Sequence, residues 1–201
     1  GADAMILMSN PGMLSGDALV QVINGTVTPS GKLVDTWASD ITDYPSTEYF
    51  GAINEDDPWS SYIEYYMEDI YVGYRYFDTF APEKVNYEFG YGLSYTTFDI
   101  TTDSVTVDAD KVTVTATVTN TGDTYSGKEV VEVYFSAPDG ELDKPYQELA
   151  GFGKTDNLAP GESQTLTISF NTSDMSSYSE ERAAYIMEAG DYIIRVGNSS
   201  R

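Results

Sequence analysis

The side chains able to do acid–base chemistry in this sequence are mostly carboxylates, because the chain has 33 Asp and Glu residues but no His and no Cys. A Ser-His-Asp triad and a His general base are therefore excluded within the chain. A disulfide, a thiol nucleophile and a thiolate metal site are excluded as well. Asp, Glu, Tyr and Lys remain, and the carboxylates are too numerous for composition to select a reacting pair.

The excess of acidic groups restricts the partners that the chain can bind. With only 10 Lys and Arg residues the net charge is −23. Such a field repels phosphate backbones and anionic lipid surfaces, so we expect no nucleic-acid and no membrane partner, whereas a neutral substrate is compatible. The acidic run at residues 54–57 lacks the alternating spacing of a calcium loop, so we predict a solvated tip, no metal and no cofactor. The absence of Cys fits either a cytoplasmic or a secreted protein.

Aromatic residues are concentrated in one segment of a chain that has 17 Tyr and 2 Trp residues. Residues 40–61 are rich in Asp, Ser, Pro, Gly and Asn, which indicates a long surface loop, and such loops are often functional. Aromatic faces stack on sugar rings, but the same rings also pack a loop onto a neighbouring domain. The substrate-lining candidates in and beside this loop are Tyr44, Tyr49, Trp59, Tyr62, Tyr65 and Tyr66.

The opening residues indicate a piece of a layered α/β structure. Residues 3–9 form a continuous apolar run, which favours a strand buried on both faces. Residues 15–24 have the spacing of one apolar helical face, with Ser15 or Asp17 as N-cap and Gly25 as the terminating residue. A strand of this kind needs neighbouring strands and helix layers. We therefore infer the tail of an α/β layer whose other strands lie outside the chain; a self-contained fold is the alternative.

The second half of the chain has the pattern of a β-sandwich. Residues 111–119 alternate strictly between apolar and polar side chains, which predicts a half-buried strand. Residues 188–191 resemble a hairpin turn between the last two predicted strands. Residues 25–97, before the sandwich, are predicted to be mostly irregular. Short strands separated by turns at intervals of about ten residues are typical of a sandwich. The further predicted strands are 129–136, 147–152, 164–170, 183–187 and 192–196.

Two groups of motifs resemble glycoside hydrolase family 3. Residues 29–37, PSGKLVDTW, resemble the family's PSGKLP-x-TF element. Residues 70–78, IYVGYRYFD, and 89–98, FGYGLSYTTF, resemble its YVGYRYYD…PFGYGLSYTTF element, although Glu88 stands where the family usually has Pro. Several ordered motifs are far more specific than one short pattern. Stretches that match the family's fibronectin type III-like sandwich, in order, are 118–122, 127–131, 148–152 and 158–163.

The resemblance implies a mainly β fold with an α/β remnant. A fibronectin type III-like β-sandwich, residues 98–201, is expected to follow the last strand-helix portion of an α/β layered domain, residues 1–97, which carries the long aromatic loop. The segment leading into the sandwich then supplies domain-interface residues. These are Tyr74, Arg75, Tyr76 and Tyr91, and we expect Arg75, a rare cation in this chain, to pair with a carboxylate.

The resemblance also implies where catalysis occurs. Retaining glycosidases use two carboxyl groups about 5 Å apart, a nucleophile and an acid/base. The family carries its Asp nucleophile on a (β/α)8 barrel and its Glu acid/base on the α/β layer domain, and neither motif is visible here. The chain is therefore expected to be the C-terminal fragment of a retaining exo-β-glycosidase resembling β-glucosidases. It has no catalytic residue of its own and is predicted to be inactive in isolation.

Two kinds of partner follow from this resemblance. The upstream catalytic domains of the same enzyme are the expected protein partner, and a neutral oligosaccharide or glycoside is the expected substrate. A non-catalytic carbohydrate-binding or scaffolding β-sandwich module is the alternative function.

Overall fold

A computed structural model describes residues 3–51 and 65–201 of the chain. We call residues 3–51 and 65–97 the N-terminal part and residues 98–201 the sandwich. The N-terminal part contains, in chain order, helix α1, Ser15–Ile23, strand β1, Trp37–Ala38, helix α2, Tyr74–Phe80, and strand β2, Val85–Tyr87. β1 and β2 pair antiparallel. Within the described ranges, no helix is long and apolar enough to cross a membrane.

The sandwich consists of two antiparallel three-stranded sheets and a small pair of strands. Its strands are β3, Phe98–Asp108, β4, Lys111–Asn120, β5, Val130–Ser136, β6, Glu148–Lys154, β7, Ser163–Asn171, β8, Ser177–Ser179, β9, Ala184–Ile186, and β10, Ile193–Gly197. One sheet has the order β3-β4-β7 and the other β10-β5-β6, while β8 pairs with β9. The mainly β architecture expected from the sequence is confirmed.

Strand β4 shows how the alternating pattern builds the core. Its even-numbered residues from Val112 to Val118 are buried and join the inward side chains of β5 in one apolar cluster. The intervening threonines face outward, where the hydroxyl oxygens of Thr117 and Thr165 lie 2.9 Å apart across the β4–β7 ladder. β-Branched side chains suit both faces, because they pack well on a pleated surface.

Strand β5 is buried along its whole length. Its odd-numbered residues from Val131 to Phe135 face the sandwich core. The alternate residues Glu132 and Tyr134 face the other way, yet they are only 5% and 2% exposed. The N-terminal part provides their cover, and the ring of Tyr74 in α2 lies 5.9 Å from the ring of Tyr134. β5 is therefore packed on both faces, against the sandwich core on one side and the N-terminal part on the other.

The opening apolar run does not form the predicted buried strand. Residues 3–10 have no regular structure, and Met5, Ile6 and Leu7 are 70%, 49% and 56% exposed. A strand satisfies its backbone N–H and C=O groups through a neighbouring strand, and none of the described strands pairs with this segment. The segment is therefore not a strand in this structure, and its pairing with strands outside the chain stays a prediction.

Helix α1 is confirmed, whereas its predicted N-cap is wrong. Leu14 occupies the N-cap position without a capping side chain, so neither Ser15 nor Asp17 has that role. Gly25 has a φ of 77°, the left-handed conformation expected after the helix end. No residue of α1 is fully buried, and Val20 and Ile23 are 58% and 64% exposed.

Helix α2 and strand β3 were not predicted from the sequence, and one predicted strand pairing is wrong. β3 is exposed from Thr101 to Asp108, so it lacks a strong burial pattern, and α2 is a seven-residue helix within a stretch predicted to be irregular. The predicted hairpin at residues 188–191 is wrong, because β9 pairs with β8 while β10 pairs with β5. The predicted strands that correspond to β4, β5, β6 and β7 are confirmed within one or two residues at most ends.

Candidate functional site

Two stretches of the N-terminal part meet on the outer face of β5. The N–H of Leu33 donates to the carbonyl of Tyr91 at 2.8 Å, and the N–H of Gly90 donates to the carbonyl of Leu33 at 2.8 Å. Residues 29–33 and 89–92 are thereby joined like two short strands. We call these two stretches, together with the outward side chains of β5 and the residues that pair with them, the junction.

Glycine is required in the junction because the backbones approach so closely. Gly90 has a φ of 83°, and a Cβ there would lie 2.6 Å from a carboxylate oxygen of Glu132 and 2.7 Å from the Cα of Ser199. A Cβ on Gly92 would overlap the carbonyl oxygen of Gly31. Only glycine tolerates both the positive φ and the contact at position 90. The Gly-Tyr-Gly spacing seen in the sequence therefore reflects close packing on β5.

A buried ion pair ties residues 29–33 to the sandwich. Lys32 Nζ lies 2.9 Å from Glu129 Oε1, and their side chains are 12% and 9% exposed. The same oxygen accepts the N–H of Val130 at 2.8 Å, and the side-chain amide of Asn198 donates to the other oxygen at 3.4 Å. Removing one partner of such a pair leaves the other charge buried and uncompensated, so the pair constrains where Lys32 can lie.

Glu132 is the second carboxylate of the junction. The hydroxyl of Tyr134 donates to Glu132 Oε2 at 2.5 Å. Burial raises the pKa of Glu132, while the hydrogen bond from Tyr134 and the charge of Lys32 act in the opposite direction. Burial and the contact with Glu132 raise the pKa of Tyr134. Because Gly90 covers this carboxyl group, Glu132 holds the junction together and does not face a ligand.

Two of the predicted interface residues contact β6. The hydroxyl of Tyr74 accepts the N–H of Leu149 at 2.8 Å, and its ring lies 4.9 Å from Phe89. Arg75 Nε lies 3.6 Å from a carboxylate oxygen of Glu148, so this cation pairs with a carboxylate as expected. Both pairs fix the orientation of α2 against the sandwich.

The other two predicted interface residues have their ring contacts inside the N-terminal part. The ring of Tyr76 lies 5.3 Å from Phe77 and 5.7 Å from Phe80. The ring of Tyr91 lies 4.8 Å from Tyr87. Tyr91 nevertheless takes part in the junction through its backbone carbonyl.

Residues 200 and 201 also bind the N-terminal part, at the end of α2 and beside residues 89–92. Arg201 Nε lies 3.2 Å from Asp78 Oδ1, and Gln147 Nε2 donates to Asp78 Oδ2 at 3.1 Å. The N–H of Ser200 donates to the carbonyl of Phe89 at 2.9 Å. Burial raises the pKa of Asp78, and the hydrogen bonds from Gln147 and Arg201 oppose this rise.

Tyr44, the first substrate-lining candidate, is engaged in structural contacts. Its hydroxyl accepts the N–H of Ala38 at 2.8 Å and donates to the carbonyl of Thr36 at 3.0 Å. Its ring packs edge-on against Phe77, with the ring centroids 5.4 Å apart. An open pocket beside Tyr44 is lined by Thr42, Asp43, Tyr44, Pro45, Thr47, Glu48, Tyr76 and Lys84.

The remaining aromatic candidates are brought together only in part. The rings of Tyr49 and Tyr65 lie 6.0 Å apart. Tyr65 and Tyr66 are 49% and 87% exposed, so both present ring surface to solvent. Trp59 and Tyr62 lie outside the described residues.

The residues with the most buried polar contacts were not selected from the sequence. Lys32, Asp78, Glu129 and Glu132 each lie in or beside a motif that carries the family resemblance, and that position was their only signal. The sequence could not distinguish the three acidic residues among them from the other carboxylates, because Asp and Glu are abundant throughout the chain. In the part of the chain that the structure describes, no three Asp or Glu side chains are placed to hold a metal ion.

Comparison with known families assigns both parts of the chain. Residues 1–95 match the glycosyl hydrolase family 3 C-terminal domain. Residues 129–200 match the fibronectin type III-like domain. The two matches follow each other in the order that the motifs indicated.

Individual relatives match along almost the whole chain. Beta-glucosidase A of Butyrivibrio fibrisolvens is 46% identical over 218 residues, covering 98% of this chain and 25% of that protein. A beta-glucosidase of Ruminococcus albus is 46% identical, covering 99% of this chain and 20% of that protein. The crystal structure of a beta-glucosidase from Paenibacillus barengoltzii superposes with a TM-score of 0.86 at 46% identity, covering 93% of this chain and 20% of that one.

These matches define the class of the chain as a C-terminal region of a glycoside hydrolase. The chain belongs to glycoside hydrolase family 3, and it corresponds to the end of the α/β domain followed by the fibronectin type III-like domain. It spans a fifth to a quarter of the length of the relatives named above.

The packing at the junction predicts that a Gly→Ala substitution destabilises the protein more at position 90 than at another glycine with a similar positive φ. Gly161 has a φ of 77° and open space around it, so Gly161→Ala adds backbone strain of about 1–2 kcal/mol and no overlap. Gly90→Ala adds the overlap with Glu132 and Ser199, and we expect a further loss of about 1–3 kcal/mol. Urea unfolding measures both losses, and equal losses would contradict close packing at the junction.

The raised pKa of Glu132 predicts a pH-dependent effect of removing its charge. In the wild type, protonated Glu132 favours the folded state. This contribution to the free energy of unfolding is fully present below the unfolded-state pKa of 4.5 and is lost as pH rises through the higher pKa of the folded state. Glu132→Gln does not titrate, so the melting temperature of the variant relative to wild type should increase from pH 4 to pH 7.

The control for this measurement is Glu181→Gln, at an exposed position on the sandwich. It should keep a constant offset in melting temperature across the same pH range. A Glu132→Gln offset that stays flat, or that falls with rising pH, would show that burial does not dominate the titration of Glu132.

Proposed function

We propose that this chain is the C-terminal portion of a retaining exo-β-glycosidase that hydrolyses terminal β-linked sugars. The observation that carries the proposal is the match to proteins named beta-glucosidase, at 46% identity over 98% and 99% of this chain. The chain spans only 25% and 20% of those proteins. The nucleophile and the acid/base are therefore expected on upstream domains of the same enzyme.

The two least exposed acidic residues in the described part of the chain support a structural role for this portion. Glu129 and Glu132 are 7% and 5% exposed, and each is engaged by Lys32, Tyr134 or backbone N–H groups. A retaining mechanism needs two carboxyl groups that open onto a shared sugar site. Gly90 lies over Glu132 and Lys32 pairs with Glu129, so both carboxylates are engaged in structural contacts, which supports a catalytic pair elsewhere in the enzyme.

The exposed apolar residues of the N-terminal part supply a docking surface for the upstream domains. Large exposed apolar patches on soluble proteins generally mark contact surfaces. α1 and the segment before it bury none of their large apolar side chains in the described structure. The side chains of this surface are Met5, Ile6, Leu7, Met13, Leu14 and Val20.

The aromatic loop is the portion of this chain that we expect to approach the substrate. Tyr65 and Tyr66 present exposed rings, while Tyr44 is fixed by its hydroxyl and by Phe77. Tyr44 thus anchors the start of the loop, and the exposed ring of Tyr65 at its end is the one that we expect to stack on a sugar.

The complete protein provides the direct test of the proposed activity. We expect it to release the terminal sugar from an aryl β-glucoside, with the β-anomer appearing first in a proton NMR time course. The 201-residue chain alone should show no turnover. The panel should include an aryl α-L-arabinopyranoside, because a Bifidobacterium longum relative that is 42% identical is named exo-alpha-(1->6)-L-arabinopyranosidase.

The same assay tests the lining role of the aromatic loop. Tyr65→Ala in the complete protein should raise KM or lower kcat/KM severalfold, since stacking of one ring contributes about 0.5–1.5 kcal/mol. Tyr178→Ala, at a similarly exposed tyrosine of the sandwich, is the control and should behave as wild type. No turnover on the whole panel, or the α-anomer of a β-glucoside appearing first, would rule out the proposed mechanism.

A further inference from the structure

A second aromatic pair lies where the end of α1 meets the sandwich. The rings of Tyr95, just before β3, and Tyr125, between β4 and β5, lie 5.8 Å apart with their planes inclined by 54°. They are 40% and 41% exposed, so each ring keeps open surface. Together with Ile23, Asn24 and Gly25 they line an open pocket.

The end of α1 lies against both rings and fixes the orientation of Tyr95. The hydroxyl of Tyr95 donates to the carbonyl of Val22 at 2.8 Å, so this ring cannot turn freely. Gly25 follows the helix with a φ of 77°, and the position that a Cβ would occupy lies 3.9 Å from the ring of Tyr125. The positive φ of Gly25 turns the chain at the helix end, and the backbone there lies beside the ring of Tyr125. A fixed ring is a better platform than a mobile one, because less side-chain entropy is lost on binding.

Asn24 adds a polar edge to the same pocket. Its Oδ1 accepts the N–H of Thr26 at 2.9 Å, which fixes the side chain. Because that bond uses the oxygen, the amide nitrogen can donate to a ligand. The pocket thus combines two exposed rings with a side-chain amide that can donate a hydrogen bond.

The chemistry of the pocket selects among ligand classes. The net charge of −23 disfavours an anion. The open shape would leave a wholly apolar molecule largely in water, so little would be gained by transferring it there. A sugar ring offers an apolar face for stacking and hydroxyl groups for the amide, and an open surface accommodates a chain that continues in both directions.

We propose that Tyr95, Tyr125 and Asn24 form a binding site for a neutral polysaccharide. This site shares no lining residue with the pocket at Tyr44 and Tyr76. It requires no catalytic residue, so the proposal does not depend on whether the complete protein is a glycosidase. Its role would be to hold the complete protein on a polymeric substrate.

Affinity electrophoresis of the complete protein tests this site. Native gels would contain mixed-linkage β-glucan, arabinoxylan or galactomannan, and we expect at least one polymer to retard the wild type. Tyr125→Leu keeps an apolar side chain over Gly25 but removes the flat ring, and it should bind about tenfold more weakly. Its melting temperature and its kcat/KM on a small aryl glycoside should match those of wild type.

The control variant is Tyr178→Leu, in another exposed tyrosine pair. The rings of Tyr178 and Tyr185 lie 5.2 Å apart and are 53% and 74% exposed. This variant should be retarded as strongly as wild type, which would separate the pocket from exposed tyrosine in general.

Several results would overturn the proposal. They are a wild type that none of the three polymers retards, equal retardation of wild type and Tyr125→Leu, and equal loss in both variants. Loss of retardation together with a lower melting temperature and lower small-substrate turnover would assign Tyr125 a role in folding, and would also overturn it. Retardation without any glycosidase turnover would support this site while contradicting the proposed function.

Discussion

The close packing of a glycine-containing backbone stretch onto the buried carboxylate of Glu132 is the constraint on which the rest of the structure depends. Residues 89–92 approach β5 so closely that Gly90 has no space for a side chain beside Glu132 and Ser199. Residues 29–33 join this stretch by backbone hydrogen bonds and add Lys32 as the counter-charge of Glu129. Buried charges cost free energy unless they are paired, so this arrangement favours one relative position of the two stretches over all others.

The other contacts between the N-terminal part and the sandwich follow from that position. With residues 89–92 seated on β5, α2 lies along β6, where Tyr74 and Arg75 meet Leu149 and Glu148. The C-terminal residues then reach Asp78, and Tyr44 packs on Phe77 at the start of the aromatic loop. Through β5, the sandwich thus contacts residues 89–92, and through β6 it contacts α2.

The periodic parts of the fold could be predicted from the sequence, because they depend on local pattern. The alternation from Val112 to Val118 identified β4, and the apolar spacing before Gly25 identified α1. The prediction failed where structure depends on a distant partner. Residues 3–9 are apolar yet unpaired, and β10 pairs with β5 instead of the adjacent β9.

The candidate site was predictable only through its motifs. Gly90, Gly92 and Arg75 were noticed as parts of the resemblance, and the structure assigns a contact to each. Glu129 and Glu132 were indistinguishable from the other acidic residues, because burial on the second face of a strand is created by another part of the chain. Tyr95 and Tyr125 belong to different halves of the sequence, so only the fold brings them together.

Native-state hydrogen exchange of the backbone amides of Leu33 and Gly90 tests most directly whether the junction and β5 form one cooperative unit. Both amides donate hydrogen bonds inside the junction, and β5 lies in the centre of its sheet. If the junction opens only when the sandwich unfolds, these two amides and those of β5 will exchange with free energies of opening that agree to within about 1 kcal/mol. Exchange of Leu33 and Gly90 that is orders of magnitude faster, while β5 stays protected, would show that the N-terminal part is held on the sandwich only loosely.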